Sequence, residues 1–267
     1  MKDFKDKLVV ITGGNSGIGE AIALAFAREG ARLILTARDT GRLEAVRKRC
    51  EDLGAQVETF AADVTDEQQM QALAAHVHAR HEAVDVLINN AGVVMAGLLT
   101  EVETADWRRL HDINVMGVVH GCRAFLPRMV ARGQGGHVVN MASASGFVGM
   151  RGMSTYCATK FAVVGLSECL RAEVRRSRIG VSVICPGYVK TPIAGKVKLV
   201  GALSSETARK RIANEFDRHS VTPEQVAART LRAIRHNESL VAIGRYAKMG
   251  WFMKRWAPGL LEKMAGA

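Results

Sequence analysis

Leu8-Val9-Val10-Ile11-Thr12-Gly13-Gly14-Asn15-Ser16-Gly17-Ile18-Gly19 is the stretch that decides the fold. Four apolar residues, three of them β-branched, predict a strand buried on both faces, and the glycines behind them predict a tight turn. Residues 18–29 then have the pattern of an amphipathic helix. Glycines in such a turn let the backbone pass close to a pyrophosphate, and the helix N-terminus offers free N–H groups and partial positive charge. The spacing G-x-x-x-G-x-G differs from the commoner G-x-G-x-x-G. It is the place of the cluster, between a strand and a helix, that marks a dinucleotide site.

The same rhythm continues outward. Apolar runs at 33–35, 57–61, 84–88, 136–141, 181–185 and 240–243 alternate with segments of helical length at 43–53, 68–79, 107–132, 155–176 and 223–235. Alternating strands and helices predict an α/β class: one doubly wound, Rossmann-like domain, its parallel sheet of about seven strands flanked by helices on both faces. We assign 1–245 to this dinucleotide-binding and catalytic domain. The interval 192–222 breaks the rhythm beyond a strand's carboxyl end, where such folds place substrate-binding insertions. Residues 246–267 form an amphipathic C-terminal tail.

With 267 residues, 48% of them hydrophobic, the chain can bury one large core. No run approaches ~18 apolar residues, so no transmembrane helix is expected. The charged start runs directly into the first strand and leaves no room for a signal peptide, which makes the cytoplasm the expected compartment. Five cysteines (Cys50, Cys122, Cys157, Cys169, Cys185) lack the spacing of a disulfide framework or a zinc site and read as reduced core thiols. The formal charge is +11, but the basic residues are spread and, outside the tail, lack interleaved aromatics. That argues against nucleic acid. A phosphate-bearing cofactor, acidic substrates or an anionic membrane surface accounts for the sign as well.

Two further segments carry chemistry. In Tyr156-Cys157-Ala158-Thr159-Lys160 a helix would place the phenol and the ammonium on one face, and Ser143 follows the apolar run 138–142. A cation at roughly 4 Å in an effective dielectric of about 20 lowers a phenol by about three pKa units, making Tyr156 a proton donor and acceptor near neutral pH. A serine hydroxyl aimed at the same point holds a carbonyl oxygen while charge develops. Tyr-x-x-x-Lys also arises by chance on amphipathic helices, so its partners elsewhere decide the matter. At the second strand's end, Ala37 occupies the place where an NAD site wants a carboxylate, and Arg38 follows it, suited to a 2′-phosphate. The alternative makes Arg38 a solvated turn residue and Asp39 the ribose ligand, although Asp39 is well placed to cap the next helix. Asp63-Val64 and Asn89-Asn90-Ala91-Gly92 both follow strands. Asn114, polar among apolar neighbours in a helical stretch, reads by itself as a buried structural hydrogen-bonder.

With these residues in order, the chain resembles the short-chain dehydrogenase/reductase family over essentially residues 7–243. The T-G-x-x-x-G-x-G loop falls on Thr12, Gly13, Gly17 and Gly19, the adenine-side Asp on Asp63, the N-N-A-G motif on Asn89 to Gly92, and the P-G turn on Pro186-Gly187. The resemblance implies a tetrad of Asn114, Ser143, Tyr156 and Lys160. In it Tyr156 is the acid/base, Ser143 orients the substrate oxygen, Lys160 binds the nicotinamide ribose and lowers the Tyr156 pKa, and Asn114 holds a relay water. It implies coenzyme contacts from Gly13, Asn15, Ser16, Gly17, Ile18, Gly19, Arg38, Asp63, Val64, Asn90, Ala91, Gly92, Pro186, Gly187, Val189 and Thr191. It also implies a substrate wall of Val94, Met95, Phe147, Val148, Met153, Tyr188 and the segment 192–203. Asn15 and Ser16 stand where NADP-preferring relatives often carry a basic residue, so NADP(H) preference over NAD(H) rests mainly on Arg38.

The apolar wall predicts a lipophilic ketone, aldehyde or secondary alcohol, with a homodimer or homotetramer as the family's common assembly. Two other readings compete with an enzyme: a non-catalytic NADP(H)-binding regulator and a membrane-associated binding protein on the same fold. The tail 246–264 mixes Trp251, Phe252 and Trp256 with Lys248, Lys254, Arg255 and Lys263, the ingredients of an interfacial helix divided at Pro258. The competing expectation is that it packs on a neighbouring subunit or closes the substrate cleft.

Overall fold

In the computed structural model, which describes residues 1–191 and 197–266, the side chains of 211, 212, 217 and 264–266 aside, β1 (Leu8–Thr12) runs through the middle of a parallel sheet. On one side lie β2 (Arg32–Ala37) and β3 (Val57–Ala61); on the other, β4 (Val86–Asn89), β6 (Gly136–Met141), β7 (Ile179–Pro186) and β9 (Leu240–Ile243). The order is β3-β2-β1-β4-β6-β7-β9, seven strands. All five residues of β1 and all eight of β7 are buried, as expected where helices cover both faces, whereas β3 at the edge is only half-buried.

Side-chain alternation along β1 shows both covers at once. Val9 and Ile11 join the core beneath α1 (Gly17–Arg28), α2 (Thr40–Glu51) and α8 (Pro223–His236), with Ile22, Phe26, Leu43 and Ile234. Leu8 and Val10 point the other way, towards α3 (Glu67–His78), α5 (Gly117–Arg132) and α6 (Ser154–Glu173), with Leu73, Phe125 and Val163. The chain leaves β1 towards β2 and β3 and then returns to β4 on β1's other side. At that reversal the carboxyl ends of the strands open a crevice.

Several features go beyond the sequence expectation or correct it. The stretch 107–132, read as one helix, is α4 (Thr104–His111), a π-helical turn at Asp112–Met116 and then α5. The wide turn carries Asn114 and moves its side chain out of an ordinary helical register. Within the insertion, β8 (Lys198–Leu199) pairs in parallel with β5 (Met95–Ala96), and α7 (Glu206–His219) follows; the part of the insertion at 192–196 lies outside the described residues. Cys169 is exposed, whereas the other four cysteines are buried, which corrects the reading of five core thiols. The tail forms α9 (Arg245–Trp256) and α10 (Pro258–Gly266), the second helix opening on Pro258.

Candidate active site

The glycine turn is shaped and then pinned. Gly13 and Gly17 take φ of +62° and +56°, and a Cβ on Gly13 would come within 2.9 Å of Ala91 Cα. Asn90 Nδ2 donates to the carbonyl oxygens of Thr12 and Gly13 at 3.0 and 3.1 Å, and Thr12 Oγ1 accepts from the N–H groups of Asn90 and Ala91. Ser16, the N-cap of α1, is extended and its side chain caps nothing, which leaves the helix's first N–H groups for an anion. Gly13, Asn15, Ser16, Gly17 and Ile18 line one end of a cavity of about 1220 Å³. Gly19 does not line it. A Cβ there would fall 2.1 Å from the Gly13 carbonyl oxygen, so the missing side chain lets α1 seat against the turn.

At the outer end of this cavity lie Ala37, Arg38 and Asp39. Asp39 caps α2, accepting from Arg42 N–H at 3.0 Å. The two-thirds-exposed Arg38 reaches Asp63 at 3.4 Å. Burial raises the Asp63 carboxyl, but the N–H and hydroxyl of Thr65 and the Arg38 guanidinium together hold it below the usual carboxylate range. Arg42 lines the same end, a second cation that sequence reasoning passed over. Its signal was its place in the first turn of α2, three residues beyond the cap. Val64, Asn90, Ala91 and Gly92 continue the wall inward, and Pro186, Gly187, Val189 and Thr191 close it from the end of β7.

Ser143, Tyr156 and Lys160 line the cavity's middle. Ser143 leaves β6, and Tyr156 and Lys160 share a face of α6, which begins at Ser154. Burial dominates the electrostatics at this point. Burial pushes the Tyr156 phenol up to about 12, against a lowering by its hydrogen bond with Ser143, and pushes Lys160 down to about 8. The reason is geometric: Lys160 is 4% exposed, and its ammonium donates to the Met141 carbonyl oxygen at 3.0 Å and stands over the Tyr156 ring, 5.7 Å from its centre. The cost of desolvating a phenolate there exceeds what the cation over its ring returns.

Asn114 is fully buried behind the wall. Its Oδ1 accepts from Val93 N–H at 2.9 Å, and its Nδ2 donates to the Val93 carbonyl at 3.0 Å and to Thr159 Oγ1 at 3.1 Å. It ties the π turn to the loop after β4 and to α6. A Cβ on Gly92 would lie 3.2 Å from Asn114 Oδ1 and 3.5 Å from Lys160 Nζ, so the two side chains flank Gly92.

Of the expected substrate wall, Val94, Val148, Met153 and Tyr188 line the cavity. Met95 and Phe147 do not. Met95 is 1% exposed and packs with Val102 and Leu110, because strand alternation turns Ala96 to the cavity instead; Phe147 is buried edge-on against Trp251. Residues 192–196 lie outside the described residues, while Leu199 and Leu203 line the wall. Phe216 of the insertion, edge-on to Tyr188 at 4.7 Å, also lines the wall, as do Met249, Met253 and Leu261 from α9 and α10. The last three agree with the expectation that the tail closes the substrate cleft, although the sequence did not single out these residues.

The family model of the short chain dehydrogenases matches residues 7–199. The chain is 33% identical over 98% of its length to "Probable oxidoreductase EphD" of Mycobacterium tuberculosis, spanning 45% of that longer protein. It is 36% identical over 93% of its length, and 90% of the relative's, to "Putative oxidoreductase SadH" of the same species. Among solved structures it superimposes on a short chain dehydrogenase/reductase from Burkholderia phymatum in complex with NAD with a TM-score of 0.87 and 32% identity, covering 100% of this chain and 98% of that one. A glycine turn that would seat a pyrophosphate, a serine, a tyrosine and a lysine on one cavity wall, and these likenesses agree: the chain belongs to the short-chain dehydrogenase/reductase family of NAD(P)-dependent oxidoreductases.

Proposed function

We infer that the protein is an NADP(H)-dependent oxidoreductase interconverting a lipophilic ketone or aldehyde and its alcohol, with Tyr156 as acid/base. The observation that carries this reading is the convergence of Ser143, Tyr156 and Lys160 on the cavity that begins at the glycine turn. The residues present fit a dinucleotide: the turn has no room for side chains at Gly13, and the α1 N-terminus is uncapped by Ser16. When bound, the coenzyme supplies or accepts the hydride at its nicotinamide. The chain's own residues manage the proton. Tyr156 keeps its hydroxyl proton at neutral pH and gives it to the carbonyl oxygen, while the Ser143 hydroxyl donates to the same oxygen and holds it in place. Lys160, whose ammonium donates to the Met141 carbonyl oxygen beside Gly92, would also hydrogen-bond the nicotinamide ribose in this reading.

Two positive groups, Arg38 and Arg42, at the adenosine end support a phosphorylated ribose over a bare one. The apolar wall of Val94, Val148, Met153, Leu199 and Met253 supports a lipophilic substrate. A homo-oligomer remains part of this reading, as the family's usual assembly. The test is Tyr156→Phe assayed by NADPH absorbance against a panel of apolar carbonyls. We expect turnover to fall by several orders of magnitude with coenzyme affinity kept, since only the acid/base is lost. Turnover at the unaltered rate in that variant would remove Tyr156 from the mechanism.

A further inference from the structure

α9 and α10 present two different surfaces. Towards the body, Ala247 is fully buried, a Cβ on Gly250 would lie 2.7 Å from Val148, and Trp251 meets Phe147 edge-on. Towards the cavity they give Met249, Met253 and Leu261. Away from both, Phe252 is 63% exposed, Trp256 74% and Leu260 56%. At 3.6 residues per turn Met249, Phe252 and Trp256 form one stripe, so the outward apolar face and the cavity wall share Met249 as a common edge.

The rim of that stripe is basic. Arg245, Lys248, Lys254, Arg255 and Lys263 stand against Glu262 alone in this stretch, and Arg255 lies over Trp251 with its guanidinium carbon 4.7 Å from the ring centre. Exposed Trp, Phe and Leu beside lysines and arginines match the depth profile of a bilayer interface, where ring and alkyl carbons enter the acyl boundary and cations stay among the headgroups. Among the described residues no helix is long and apolar enough to cross a membrane, so attachment would be to the surface.

We propose that α9 and α10 dock this protein on an anionic phospholipid bilayer, with the mouth of the substrate cavity beside the acyl layer. Charge selects this occupant over a second copy of the chain. A two-fold pairing of the face with itself would oppose the same five cations across one interface, whereas phosphatidylserine-type headgroups neutralise them. The shared Met249 edge then gives an apolar substrate a short path from lipid to cavity. That last step rests on the oxidoreductase reading; the docking itself does not.

The experiment is co-sedimentation of the full chain, without coenzyme or substrate, with phosphatidylcholine vesicles with and without phosphatidylserine. Two comparison variants are Phe252→Ser/Trp256→Ser/Leu260→Ser and Lys248→Glu/Lys254→Glu, all at exposed positions outside the cavity wall. The unaltered chain is expected to partition to phosphatidylserine vesicles and to release at high salt. The apolar triple variant is expected to bind ~tenfold more weakly or worse, and the charge variant to lose the preference for anionic lipid. Brominated lipid should quench the tryptophan fluorescence of the unaltered chain and quench Trp256→Phe less. Coenzyme titration verifies that each variant is folded, and Tyr156→Phe must bind vesicles like the unaltered chain, which separates this test from that of the chemistry. Equal vesicle binding by the triple variant overturns the proposal. So does an unaltered chain that ignores vesicles but forms an oligomer that the triple variant loses, since the face then belongs to a second copy.

Discussion

Lys198 Nζ reaches both carboxylate oxygens of Asp106 at 2.8 Å, joining the short strand β8 to the first turn of α4. Asp106 is buried, whereas the Lys198 side chain is half exposed. The pair clamps the insertion over the cavity beside the β5–β8 pairing, in which Val200 N–H donates to the Ala96 carbonyl oxygen at 2.9 Å. Lys198→Met should release this clamp without unfolding the sheet. A partly exposed pair contributes up to about 1 kcal/mol, so amide exchange at Val200 should rise on the order of fivefold. Exchange within β1 should stay unchanged. An unchanged Val200 rate would mean the strand pairing alone holds the segment.

Coenzyme preference should follow Arg38 and Arg42. Arg38→Asp, or Ala37→Asp with Arg38→Ile, should reduce the ratio of NADPH to NADH affinity by roughly ten- to a hundredfold, the worth of one charge-assisted contact. Arg42→Ala should erode it in the same direction by less, because Arg42 is also held by Asp39 at 3.3 Å. Fluorescence titration of both coenzymes measures it. Equal affinities in the unaltered protein would count against the NADP(H) reading.

Buried Lys160 should leave a mark on stability as pH changes. Its folded pKa, about 8, lies below its ordinary 10.5, so between those values the unfolded chain binds the extra proton. Stability therefore rises with pH across that window. Relative to Lys160→Met, the unaltered protein should gain on the order of 3 kcal/mol at most between pH 8 and 10.5. Above pH 10 the opposite sign enters from Tyr156, whose folded pKa near 12 makes the folded state hold its proton longer. The differences in thermal midpoint between Lys160→Met, Tyr156→Phe and the unaltered chain across this range check both signs.

Two glycine-to-alanine changes should act in opposite directions. Gly19→Ala forces a methyl into the Gly13 carbonyl, 2.1 Å away, and should cost several kcal/mol and coenzyme binding together. Gly165→Ala lies mid-helix in α6 with nothing within 4 Å of the added carbon, and should stabilise by roughly 0.5–1 kcal/mol, or about 1–2 °C. Calorimetry distinguishes them.

The sheet was legible because strands covered on both faces are nearly continuous apolar runs, and β1 and β7 are, with Thr12 and Ser182 as their buried polar exceptions. The cap at Asp39 was legible because capping is local chemistry. What escaped was non-local or lacked a signature in composition. The π turn around Asn114 has helical residues and differs only in hydrogen-bond register. Two-residue strands such as β5 are too short to show a period, so the inward turn of Met95 could not be read. The sign of the Tyr156 shift depends on burial and on where the Lys160 ammonium points, neither of which spacing contains.

Thr12 and Asn90 bind the glycine turn to the tip of β4 through two backbone and two side-chain donors before any ligand arrives. The ordering entropy of the phosphate cradle is thus settled during folding and not at the moment of encounter. A population of variants screened for heat resistance alone would therefore retain the cradle, since weakening it would loosen the junction of the two central strands. Coenzyme recognition in this protein is inherited from the architecture of its sheet.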